Sequence, residues 1–338
     1  MDLVTGATGI VGGHVLLECA LRGPVRAIYR QGCDRSIVER LFRHYHPEPE
    51  LALENVHWVE ADLLDVVAMD EAMTGIQRVY HAAAMVSFAA KDADAMWRMN
   101  VIGTANVVNA ALRNGAYRLC HVSSTAAIGE APEGAARDER SPWDENARAS
   151  DYSRTKYAAE LEVQRGIAEG LEAIMVNPCI VIGPGRAGRS SMTLVERLQK
   201  GTRFYPRGSN AVVDARDVAR AMTILMERGG NGERYLLVGE NLSYRRLFTL
   251  LTAAFNRPEP TIALKPWWLS LAWRLEHLRT RVLGGTPFIT SDTAQSALSH
   301  RSYDASKAKA VPGITFRSAQ EAVDNVADFV KGRSVYSG

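Results

Sequence analysis

The chain has 338 residues, enough for one large core with a smaller lobe or for two modest domains. A formal charge of +2 excludes a field strong enough to make nucleic acid the main partner, and 46% hydrophobic with 23% charged residues is ordinary for a globular protein. The four cysteines, Cys19, Cys33, Cys120 and Cys179, are scattered without a CxxC pair, so no metal or disulfide framework is expected and reduced thiols in a cytoplasmic protein are.

"DLVT" at residues 2–5 reads as a strand from the outset, so no signal or transit peptide is expected. It runs straight into "GATGIVGGHV", with Gly6 and Gly9 ahead of a helical pattern over 10–22 and Gly12 in its first turn. A strand that turns at once into a helix leaves backbone N–H groups unpaired at the helix start, beside the positive end of its dipole. Phosphates bind there when side-chain-free residues let the backbone approach. Gly6 makes the turn, Gly9 admits the pyrophosphate and Gly12 allows close helix–strand packing, with Thr5, Thr8, Ile10 and Val11 completing the loop.

The second strand, "VRAIYR", ends in Arg30 where a reader of NAD usually places a carboxylate for the ribose 2′-hydroxyl. A guanidinium suits a 2′-phosphate, with Arg35 as a second contact, so NADP is expected and NAD is less favoured. A helical pattern at 34–43 follows, then strand "VHWVEA", helix 65–73, strand "RVYHAA", a long helix over 92–114, strand "RLCHVSS", helix 151–169 and strand "EAIMVNP". Nearly continuous apolar strands alternating with amphipathic helices predict an α/β, doubly wound parallel sheet that binds its ligands at the strands' carboxyl ends.

Tyr152 and Lys156 stand at i and i+4, on one face of the helix at 151–169. An ammonium near a phenol is expected to draw the tyrosine pKa down from about 10, so that the ring exchanges protons with a carbonyl or alcohol oxygen. The end of the preceding strand offers three hydroxyls, Ser123, Ser124 and Thr125, to orient that oxygen. Asp214 and Asp217 read as a sheet-end residue and a helix N-cap, and His81 and His121 as satisfied histidines of apolar strands. No metal site is expected.

Residues 1–178 read as a dinucleotide-binding domain to which 211–237 returns, and 179–210 with 238–338 as a smaller, mostly helical substrate lobe. The stretch 266–285, rich in tryptophan, leucine and arginine, is too short and too charged to span a bilayer. It reads as an amphipathic helix of that lobe, with peripheral membrane contact as the weaker reading.

With "TGATGIVG" at its start, the sequence resembles the extended branch of the short-chain dehydrogenase/reductases, the NAD-dependent epimerase/dehydratase family with its Rossmann fold. "ADLLD", "HAAA", "MNVIGTANVV", "HVSSTAAIG", "YSRTK" and "NPCIVIGPG" stand in the order that branch has them, over roughly residues 3 to 240. The resemblance implies that Asp62 and Leu63 reach the adenine, that Ala82, Ala83 and Ala84 line its ribose, and that Asn100 is the branch's polar helix residue. Val122, Asn177, Pro178 and Ile180 are implied around the nicotinamide, with Lys156 on its ribose. By its spacing to Gly129, Ser124 is the implied catalytic hydroxyl beside Tyr152 and Lys156.

Val86, Ser87, Phe88, Thr125 and Arg186 are the expected substrate-side residues. Thr125-Ala126 stands where a sugar-nucleotide dehydratase of this type has Asp-Glu, which removes that reading. Arg30 and the apolar "AMVSF" favour an NADPH-dependent reductase of a ketone or aldehyde, closest to the dihydroflavonol-reductase-like and 3β-hydroxysteroid-dehydrogenase-like members. An NAD-dependent sugar-nucleotide epimerase and an NADP-binding redox-sensing regulator are the alternatives. The resemblance also implies a homodimer paired through the helices at 92–114 and 151–169.

Overall fold

The computed structural model describes residues 1–144, 149–268 and 291–336. Six strands alternate with helices through the first half: β1 Asp2–Thr5, β2 Val25–Tyr29, β3 Val56–Glu60, β4 Arg78–His81, β5 Arg118–Val122 and β6 Ala173–Pro178. The helices between them are α1 Ile10–Ala20, α2 Ser36–Tyr45, α3 Pro49–Glu54, α4 Val66–Met73, α5 Ala93–Trp97, α6 Gly103–Arg113 and α7 Asp151–Ala168. The second half adds β7 Ile180–Ile182, α8 Met192–Gln199, β8 Phe204–Tyr205, β9 Ser209–Asp214, α9 Ala215–Arg228 and β10 Arg234–Leu237. After these come β11 Glu240–Ser243, α10 Tyr244–Ala254, β12 Ile262–Ala263, α11 Ser291–Leu298, α12 Ser306–Lys309 and α13 Ala319–Val330.

The main sheet has the order β10-β6-β5-β4-β1-β2-β3, and every pair is parallel. The chain runs outward from β1 in both directions, so the sheet is doubly wound and opens a crevice where β1 and β4 part. Every residue of β5 and β6 is buried, as strands covered on both faces must be. One face packs on α1, α2 and α9 through Val15, Leu41, Phe42 and Met222, and the other on α4, α6 and α7 through Met69, Val107 and Val163.

Strand β10 forms an edge of the main sheet and helix α9 packs on α1, while residues 211–214 lie apart from that sheet. They belong to β9, the centre of a separate three-stranded sheet, β11-β9-β7. The helix expected over 92–114 is interrupted by a π turn at Arg98–Ile102. Helix α13 packs with Ile182 and Leu251 of the lobe and with Ile10 of α1 in one core, so the lobe is fixed to the helix that starts at the glycine turn.

Of the stretch 266–285, residues 269–285 lie outside the described residues. Among the described residues, no helix is long and apolar enough to cross a membrane, and no group of three or more His, Cys, Asp or Glu is placed to hold a metal.

Candidate active site

The glycine turn sits at the crevice between β1 and β4. Gly6 has φ +68°, which favours glycine, and a Cβ there would lie 2.6 Å from the Ala83 nitrogen. A Cβ on Gly12 would collide with the Gly6 carbonyl. These positions form a cradle that side chains would fill, leaving the start of α1 open with Gly9 exposed. The residues fit a dinucleotide pyrophosphate.

The loop after β4 is locked to that turn by a hydrogen-bond chain. Thr104 donates to the Asn100 carbonyl at 2.6 Å, so its oxygen accepts from His81 Nε2 at 2.9 Å. His81 Nδ1 therefore accepts from Thr5 at 2.7 Å, and the Thr5 oxygen accepts from the Ala83 N–H at 3.2 Å. Each hydroxyl proton has one destination, which fixes the neutral tautomer of His81. Burial holds its pKa down at about 3. Asn100 lies in the π turn, where it accepts from Met85 N at 2.7 Å and donates to Met85 O at 2.9 Å, clamping the segment between the alanines and the substrate side.

Arg30 is exposed, and its guanidinium makes no hydrogen bond or ion pair within the described residues. Arg35 lies over the rings of Tyr29 and Trp58, 4.6 and 5.3 Å from their centroids. Thr8 Oγ1 is 3.4 Å from Cys33 Sγ. Asp62 accepts from Leu64 N at 2.9 Å, which leaves its other oxygen free, and Leu63 is buried against Gly103. Ala82 and Ala83 are half-buried beside the turn, Ala84 is exposed, and Val11 is half-buried in α1.

At the ends of β5 and β6 the implied catalytic groups converge. Ser124 caps a 3₁₀ turn at Thr125–Ala127, its hydroxyl accepting from Ala126 N at 3.1 Å and lying near enough to the Tyr152 phenol to act on its charge. Ser150 caps α7 by accepting from Ser153 N at 3.1 Å, which starts the helix one residue before Tyr152. Tyr157, the neighbouring tyrosine, is stacked on Trp143 with ring centroids 4.6 Å apart and has a packing role.

The expected depression of the Tyr152 pKa is corrected by the structure. Burial pushes the phenol up, and the nearby Ser124 hydroxyl only opposes this. Lys156 does not offset it, because its ammonium turns to the sheet and donates to the Val122 carbonyl at 2.7 Å. Lys156 is itself buried, and burial lowers its pKa to about 8 against the attraction of Glu160.

Asn177, fully buried at the end of β6, donates to the Ser124 carbonyl at 3.0 Å and to Glu160 at 2.6 Å. Pro178 follows it, and Ile180 is half-buried at the start of β7. Sequence reasoning missed Glu160, although Lys156-x-x-x-Glu160 places both on one helix face. It also missed Arg234, whose Nη1 is 3.4 Å from the Glu160 carboxylate. His121, read as a satisfied histidine, is buried with neither ring nitrogen hydrogen-bonded among the described residues, and burial holds its pKa well below the usual range. Asp214, not Asp217, caps α9 by accepting from Arg216 N, while Asp217 accepts from Arg317 N at 2.6 Å.

On the substrate side, Phe88 lies edge-on to Tyr152 with ring centroids 5.8 Å apart, and Val86 and Phe88 are both exposed. Thr125 is buried. The Ser87 hydroxyl donates to Asp92 at 2.7 Å and accepts from Ala89 N, so it shapes the loop. Arg186 follows Gly185, which abuts Ile10 and borders a groove with Thr8, Gly9 and Ile37. That is the glycine-turn side of the cleft.

Residues 3–238 match the model of the NAD dependent epimerase/dehydratase family. The chain is 32% identical over 269 residues to sterol demethylase protein B of Methylococcus capsulatus, covering 78% of this chain and 77% of that one. A Synechocystis protein that carries a dihydroflavonol 4-reductase name is 31% identical over 95% of this chain and 91% of its own. Cinnamoyl-CoA reductase 1 of rice, Oryza sativa subsp. japonica, is 34% identical over 75% of each. The solved structure of gox2253 superposes with a TM-score of 0.80 at 30% identity and 98% coverage of both chains. UDP-glucose 4-epimerase of Thermotoga maritima shares the fold, with a TM-score of 0.75 at 20% identity over 98% of this chain and 99% of its own. A glycine cradle at the sheet crevice and a match over most of the chain lead to one assignment: this is an NAD(P)-dependent oxidoreductase that belongs to the NAD dependent epimerase/dehydratase family.

Proposed function

We propose that the protein is an NADPH-dependent reductase of a ketone or aldehyde carried on a fairly apolar small molecule. The observation that carries this reading is the Ser124–Tyr152 hydroxyl pair facing an apolar wall, with the Phe88 ring 5.8 Å from the tyrosine ring. The dinucleotide, when bound, supplies the hydride for the carbonyl carbon. Ser124 holds the carbonyl oxygen, and Tyr152 delivers the proton that turns it into an alcohol. A phenol pushed up by burial keeps its proton at neutral pH, so it enters as an acid, the role reduction requires. Lys156 spends one donor on Val122 and keeps two for the ribose hydroxyls.

Two observations support NADPH over NADH: the unpaired Arg30, and Arg35 held over the Tyr29 ring at the end of the same strand. Reductase names among the relatives, including 2-alkyl-3-oxoalkanoate reductase of Stenotrophomonas maltophilia, support a carbonyl substrate with apolar parts. Exposed Trp97 and Leu161, on the helices expected to pair, support a homodimer. The four free cysteines suit a cytoplasmic location.

The test mixes purified protein with NADPH or NADH and a panel of ketones and aldehydes. NADPH is expected to be oxidised with at least one of them, and faster than NADH. NAD released on denaturation, without net oxidation, would replace this reading with sugar-nucleotide epimerisation. Tight NADP binding without turnover would replace it with a redox-sensing regulator.

A further inference from the structure

We infer that Glu160, one helical turn beyond Lys156, is a positioning residue for the reaction proposed above, on which this inference rests: it keeps the Lys156 ammonium charged and, through Asn177, holds the Ser124 strand end in place. Glu160 is only 3% exposed and lies on the inner face of α7. Its Oε1 accepts from Asn177 Nδ2 at 2.6 Å, and the same amide donates to the Ser124 carbonyl at 3.0 Å. Its Oε2 meets Arg234 Nη1 at 3.4 Å. Arg234 is held in turn by the Glu139 carbonyl, while the Glu139 carboxylate accepts from Leu236 N at 2.8 Å. One carboxylate thus joins α7, β6 and β10 at the catalytic end of the sheet.

The surroundings of Lys156 leave little else to hold its charge. Lys156 is 2% exposed, and its ammonium has one hydrogen bond, to the Val122 carbonyl. His81 from β4 and His121 from β5 are neutral, and the Lys156 charge helps to hold both that way. Asn100 and Thr104 from the π turn and α6, Asn177 from β6 and Tyr152 from α7 itself bring no negative charge at neutral pH. Arg234 from β10 adds a positive one, spent on Glu160 and Glu139. Glu160 is the charge that opposes burial at Lys156. Burial also pushes the Glu160 carboxyl up, opposed by Ser123, Arg234, Asn177 and Lys156. A tie between helix and sheet does not need a buried ion, which costs more than apolar packing unless it is well paired. Holding a neighbouring ammonium charged does.

The full chain labelled at lysine Cε is titrated by NMR, with the Lys156 signal identified by its loss in Lys156→Met. Glu160→Gln keeps the shape and the acceptor for Asn177 and removes the charge. It is expected to lower the Lys156 midpoint by about one pH unit or more. The alkaline limb of kcat for NADPH-dependent reduction is expected to move down with it, while activity near pH 6 is largely kept. Glu160→Asp, which keeps the charge, is expected to restore most of the midpoint, and it serves as the variant if the glutamine does not fold. An unchanged Lys156 midpoint in folded Glu160→Gln overturns the inference. So does a kcat lowered equally at every pH, or an aspartate variant no better than the glutamine. A wild type that reduces no carbonyl compound overturns the reaction instead, because the NMR titration reads the coupling without turnover.

Discussion

Gly12 stands over Gly6 so closely that a β-carbon on it would collide with the Gly6 carbonyl. The clash is with backbone, which cannot swing aside as a side chain can. Helix α1 and the turn before it would have to separate, and the N–H groups that cradle a pyrophosphate would move with them.

Gly12→Ala is therefore expected to lose about 1–3 kcal/mol of stability and to weaken dinucleotide binding at least about tenfold. Gly13→Ala, whose β-carbon would meet the Leu41 side chain at 3.2 Å and the Ala7 carbonyl at 3.3 Å, is expected to lose less of both. Thermal denaturation and NADPH fluorescence titration of the two variants check this. Equal behaviour would show that the cradle does not depend on Gly12.

The buried histidines set an acid limit on stability. Burial lowers His14 to about 4 and His81 to about 3, so the unfolded chain binds more protons than the folded one below the ordinary histidine range. Their contribution is complete above pH 6.5 and is lost as pH falls towards those values. For His14, which uses Nδ1 on the Ile10 carbonyl and Nε2 on Tyr45, the loss is on the order of 3 kcal/mol. Urea midpoints between pH 7 and pH 4 are expected to fall, and less steeply in His14→Gln. A flat profile would contradict the neutral buried state.

Arg30→Glu should exchange cofactor preference. The carboxylate repels a 2′-phosphate and can accept from a 2′-hydroxyl. The ratio of kcat/KM for NADPH to that for NADH is expected to fall at least about tenfold. An equal loss with both cofactors would mean that Arg30 does not read the 2′ position.

Leu161 is half exposed on the outer face of α7, and Trp97 is similarly exposed at the end of α5. Sedimentation is expected to give twice the chain mass for wild type, and the single mass for Leu161→Glu. A wild type that already sediments at the single mass would remove the dimer.

Much of the dinucleotide-binding half was legible because its signals are local. The apolar runs of β1 to β6 have one period, and the glycine turn joins strand to helix without a gap. Tyr152 and Lys156 show their shared face by spacing alone. Glu160 did not stand out, because its importance comes from Asn177 and Arg234, partners 17 and 74 residues away. The raised Tyr152 pKa was missed because spacing says who shares a face, not that Lys156 would turn to a backbone carbonyl. The tie from Ser87 to Asp92 was not legible either, because nothing in their spacing announces a loop hydrogen bond. The π turn around Asn100 carries no composition signal, and residues 211–214 belong to a sheet whose strands β7 and β11 are too short to show a period.

The central claim is that the Tyr152 phenol gives its proton to a carbonyl oxygen held by Ser124. Tyr152→Phe removes one oxygen and leaves the ring against Phe88. With the best carbonyl compound from the panel, NADPH oxidation is expected to fall about 10²–10⁴-fold, with NADPH affinity close to wild type. Reduction by Tyr152→Phe at the wild-type rate would contradict it.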